Sequence, residues 1–146
     1  MKKLLFSALI AVSISTGSFA QDVIANNQKA IDNFESLFSG ASNVAWVAKE
    51  KLTIASFVQD QSKVEVFYNP DGDLIATTKQ IKVEDLPTFA KRIIAKKYSD
   101  YTVKEVFLFK ADNETNYFIS IENEKESLVL KVNQGSISAY SQTSKS

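Results

Sequence analysis

The stretch Lys63-Val64-Glu65-Val66-Phe67-Tyr68-Asn69-Pro70-Asp71-Gly72-Asp73-Leu74-Ile75-Ala76 reads as strand, tight turn, strand. Pro70 presets φ at turn position i+1, Asp71 suits i+2, and Gly72 supplies the φ > 0 residue that returns the chain through a G1-bulge hairpin. Its first arm alternates Val64, Val66 and Tyr68 against Lys63, Glu65 and Phe67, so one face is apolar and the other mixed.

Working outward, an amphipathic helix is predicted over residues 22–39, with Val23, Ile24, Ala30, Ile31, Phe34, Leu37 and Phe38 as its apolar stripe and Gly40 as its end. Short strands follow at 44–47, around Trp46, and at 52–58. Beyond the hairpin, residues 79–84 read as an extended link. Asp85-Leu86-Pro87 then opens a second helix whose stripe is Leu86, Phe89, Ala90, Ile93, Ile94 and Tyr98. Further strands are predicted at 101–109, 117–121, 127–132 and 136–140, and a frayed polar tail at 141–146.

The two halves thus share one order of elements. Phe38-Ser39 answers Tyr98-Ser99, Ala55-Ser56-Phe57 answers Ile119-Ser120-Ile121, and the turn at 69–72 answers the turn at 133–135. We divide the chain into a leader at 1–20, a first helix-plus-sheet repeat at 21–82 and a second at 83–146, which form one compact domain. A helix and four strands make a two-layer unit with one sheet face covered. Two such units give an α+β fold: one sheet of about eight antiparallel strands with both helices on the same side.

The leader is read from Met1-Lys2-Lys3, an apolar run over 4–14, and Ser18 and Ala20 before a cut at Gln21. The run is shorter than the ~20 residues a bilayer demands. The expected location is periplasmic or secreted, without membrane insertion. Loss of Lys2 and Lys3 takes 17 basic residues to 15 against 17 acidic ones, a net charge of −2. That is no field for nucleic acid. With no cysteine, the exported chain is held by its core alone; of ten Phe, Phe6 and Phe19 belong to the leader, and the other eight with five Tyr and one Trp supply the area.

Catalytic chemistry has little to draw on. Histidine and cysteine are absent, which excludes Ser-His-Asp and Cys-His arrangements and histidine metal sites. Eight of the 17 carboxylates are read in turns, at Asp60, Asp71, Asp73, Asp112, Glu114, Glu122, Glu124 and Glu126. Asp71-Gly72-Asp73 lacks the spacing and terminal Glu of an EF-hand loop. No enzyme, cofactor or metal is expected. Strand alternation leaves Phe67, Phe118 and Val129, with Ile75 and Tyr140, on the sheet face away from the helices, as an exposed patch for a protein or peptide partner. A carrier of a small apolar ligand, a homodimer seam and a carboxylate-dependent enzyme are the other readings; monomer and homodimer both stay open.

The chain also resembles the PepSY-like domains, described as beta-lactamase-inhibitor-like, of exported proteins of Bacteroidetes-type bacteria. The resemblance rests on the leader, on a helix running into Phe38-Ser39-Gly40-Ala41, on Tyr98-Ser99-Asp100-Tyr101-Thr102-Val103-Lys104, on Phe67-Tyr68-Asn69-Pro70-Asp71-Gly72 and on Asp85-Leu86-Pro87. Ser39 and Ser99 stand where the family usually has proline, and Asn133-Gln134-Gly135 shortens its second turn. The resemblance implies a tandem helix-plus-four-strand fold like that of beta-lactamase inhibitor proteins, which grip an enzyme with a concave sheet. It carries over no inhibitory residue.

Overall fold

The computed structural model describes residues 27–146; the leader and the first residues assigned to the first helix, with Val23 and Ile24, lie outside them. Helix α1 (Gln28–Leu37) is followed by β1 (Ser42–Lys49), β2 (Leu52–Gln59), β3 (Ser62–Tyr68) and β4 (Leu74–Ile81). A 3-10 turn (Val83–Asp85) leads into α2 (Thr88–Lys97), then β5 (Thr102–Ala111), β6 (Glu114–Glu122), β7 (Glu126–Asn133) and β8 (Ser136–Ser144). The eight strands form one sheet in sequence order, every neighbouring pair antiparallel.

The hairpin around residue 70 forms as its sequence dictates. Gly72 has φ +84°, its amide donates to the Asn69 carbonyl at 3.0 Å, and the ladder slips between Phe67 and Tyr68 as a bulge requires. The turn also seats α1. Asn27 caps the helix by accepting from the Ala30 amide at 3.2 Å, while its own Nδ2 donates to the Asn69 carbonyl at 2.9 Å. A Cβ on Gly72 would stand 2.4 Å from the Lys29 Cβ, so only glycine lets turn and helix approach this closely.

Two apolar clusters fill the layer between helices and sheet. Under α1, Ala30 and Phe34 pack on Ala55, Phe57, Val64, Val66 and Tyr68. Under α2, Leu86 and Ala90 pack on Val106, Ile119, Ile121, Leu128, Leu130 and Val132. Pairing of β4 with β5, from Ala76 opposite Ala111 to Ile81 opposite Val106, joins the two halves into a continuous sheet.

Several boundaries differ from the sequence reading. The link at 79–84 is strand as far as Ile81, because β5 satisfies its backbone groups. The second helix begins at Thr88, with Pro87 at the cap position. Leu37 is 59% exposed rather than part of the buried stripe. The tail expected to fray is ordered in β8, where Ser141 to Ser144 pair with residues of β7 through backbone bonds indifferent to their polar side chains. Among the described residues, no helix is long and apolar enough to cross a membrane.

Candidate binding face

Cross-strand partners share a face, so the ladder sorts every strand residue to one side or the other. Thr53, Ala55 and Phe57 of β2 oppose Tyr68, Val66 and Val64 on the helix side, and Ile54 opposes Phe67 on the other. Phe67 in turn opposes Ala76, Ala76 opposes Ala111, and Phe107 opposes Phe118. The face away from the helices therefore carries an apolar row from β2 to β8: Ile54, Phe67, Ala76, Phe109 and Phe118, with Leu52, Ile75, Ala111, Val129 and Tyr140 packed against it. No helix residue belongs to this cluster.

All five residues expected on this face are in that one cluster. Their expected exposure is corrected. Phe67 is 1% and Phe118 6% exposed, and Ile75, Val129 and Tyr140 are half-buried. The rings shield one another across strands, with Phe118 edge-on to Phe109 at 6.2 Å and to Tyr140 at 5.2 Å between centroids. Lys131 lies over the Phe118 ring at 6.0 Å while reaching Glu114 at 3.4 Å. Phe67 and Phe118 are thus the floor of the face, a third apolar core to which neither helix contributes.

Further along the same face the floor opens. Ser56 opposes Glu65, Glu65 opposes Thr78, and these three strands with Ala45 and Val58 on one side and Phe107 on the other line a hollow of about 250 Å³. Ser56 Oγ donates to Glu65 Oε1 at 3.3 Å. Burial pushes the Glu65 carboxyl above its ordinary 4.5, and hydrogen bonds from Ser56 and Thr78 pull part of the way back. The ion pairs of Lys104 and Lys145 with Glu122 and of Lys131 with Glu114 do not involve Glu65.

Glu65, Ser56, Thr78 and Phe107 were missed from the sequence. The only local signal was that Glu65 alternates with Phe67 on the mixed face of β3, inside a strand rather than in a turn. No three or more Asp or Glu side chains among the described residues are placed to hold a metal ion.

No protein-family model and no curated protein matches the sequence. Solved structures do match. A DUF2874 family protein from Bacteroides uniformis aligns over 80% of this chain and 87% of its own at 12% identity and a TM-score of 0.69. A candidate periplasmic protein from Bacteroides eggerthii aligns over 87% and 90% at 15% identity and 0.69. A BLIP-like protein from Bacteroides fragilis aligns over 88% and 89% at 19% identity and 0.65. At these identities the likeness is one of architecture: the chain has the two-layer α+β fold, helices packed on one face of an eight-stranded antiparallel sheet, that is BLIP-like.

Proposed function

We propose that the protein is an exported, non-enzymatic binding module that takes a protein or peptide on the sheet face opposite its helices. The observation that carries the reading is an apolar face spanning β2 to β8 with no helix over it. Its pre-packed aromatic floor gives a partner a rigid surface and lowers the ordering cost of docking. The leader pattern and the candidate periplasmic relative support export to the periplasm or beyond. The BLIP-like relative supports an inhibitor-like use of the face by analogy of fold.

The test is selection of peptides from a displayed library on residues 21–146, followed by competition with surface variants. Val47 is 43% exposed on this face at the sheet edge, opposite Ile54, and Ser120 lies near its middle, opposite Val129. Val47→Glu with Ser120→Lys is expected to abolish binding. Leu37→Glu with Arg92→Glu, both on the helices, is expected to leave it unchanged. The opposite pattern, or a library that yields no binder, overturns the reading.

A further inference from the structure

We infer that the hollow at Glu65 receives a basic side chain, the guanidinium of an arginine or the ammonium of a lysine, from the partner docked on this face. The inference deepens the binding-module reading and rests on it for the identity of the ligand as a protein.

The chemistry follows from the walls. Glu65 is a half-buried carboxylate with two hydroxyl neighbours and no ion-pair partner among the described residues. A carboxylate so placed has lost part of its hydration without gaining a counter-charge, and an entering cation restores the balance with a charge-assisted hydrogen bond. Phe107 lines the hollow and supplies an aromatic ring for contact with that cation. Ala45 and Val58 offer apolar wall to an aliphatic stem. The hollow of about 250 Å³ opens on the docking face itself. Lys63 also lines it, with an exposed side chain that stands beyond ion-pair distance of Glu65. It is the one cation among the lining residues and competes with the guest.

The experiment titrates the folded chain with n-butylguanidinium and, in parallel, with its neutral analogue n-butylurea, following the amide resonances of Ser56, Glu65, Thr78 and Phe107 and the carboxyl resonance of Glu65. Butylguanidinium is expected to shift these resonances and to lower the pKa of Glu65; butylurea is expected to do neither. Glu65→Gln, which keeps the shape and the hydroxyl contacts, is expected to weaken binding roughly tenfold or more. Lys63→Met is expected to tighten it. Equal response to the two probes, no response to either, or undiminished binding by Glu65→Gln overturns the inference. These readouts concern the hollow alone, so their failure is distinct from failure of the peptide competition, which judges the face.

Discussion

Gly72 and Gln61 both occupy the left-handed backbone region, and they differ in what surrounds them. Gly72 sits at φ +84° with the α1 backbone against it, 3.0 Å from where its Cβ would be to the Ala30 amide nitrogen. Gly72→Ala adds both left-handed strain and overlap with the helix, and is expected to destabilise the fold by about 2 to 4 kcal/mol. Gln61 (φ 64°) and Asp60 (φ 50°) turn β2 into β3 without a glycine. Gln61→Gly is expected to stabilise by about 0.5 to 1 kcal/mol, after the entropy a glycine adds to the unfolded chain. Urea midpoints of the two variants against wild type check both signs.

Glu65 makes a prediction about pH. Its carboxyl lies above 4.5 in the folded chain through desolvation, so the folded state holds that proton more readily than the unfolded state does. The resulting contribution to stability is fully present below about pH 4.5 and is lost as the pH rises through the folded pKa. Glu65→Gln is uncharged throughout. It is expected to melt higher than wild type at pH 7 and to lose that advantage below pH 4.5, which thermal scans across pH record.

At the scale of elements, α1 is held by one ring more than by its length. Phe34 meets Phe38, Trp46 and Phe57 with centroids 5.0 to 5.3 Å apart, and a ten-residue helix has little stability of its own. Phe34→Ala is expected to cost about 3 to 5 kcal/mol and to change the emission of Trp46, the single tryptophan, in the folded state. The apolar stripe of α1 was legible from its 3.6-residue period; its ends were not. Leu37 fits the period but points off the buried stripe, and Phe38, one residue on, packs against Phe34 and Phe57 instead. In β8, the run Ser-Gln-Thr-Ser at 141–144 has the composition of a loose tail. It is strand because β7 offers it a row of backbone donors and acceptors, a partner that composition does not reveal.

At the scale of the whole molecule, the helix-free face is both a core and a surface. Had Phe67 and Phe118 been exposed, their replacement by serine would leave the circular dichroism spectrum unchanged. At 1% and 6% exposure, Phe67→Ser and Phe118→Ser are each expected to destabilise by at least about 3 kcal/mol and to shift the circular dichroism melting curve to lower temperature. Binding is therefore better probed at Val47 and Ser120 than at these rings. The side of the sheet on which Phe67, Ile75, Phe118, Val129 and Tyr140 lie was legible, because alternation along a strand depends on neighbours two residues away. Their burial was not, since it depends on side chains of other strands, as Phe118 does on Phe109 and Tyr140. The hollow was hidden for the same reason: Ser56, Glu65, Thr78 and Phe107 come together only through the registers of four strands. By itself the sequence determined two helices, eight strands and the turn at Gly72, through local backbone preference and periodicity. Only tertiary structure decided what each face exposes, because solvent exposure is a property of how the strands lie against one another and not of any strand alone.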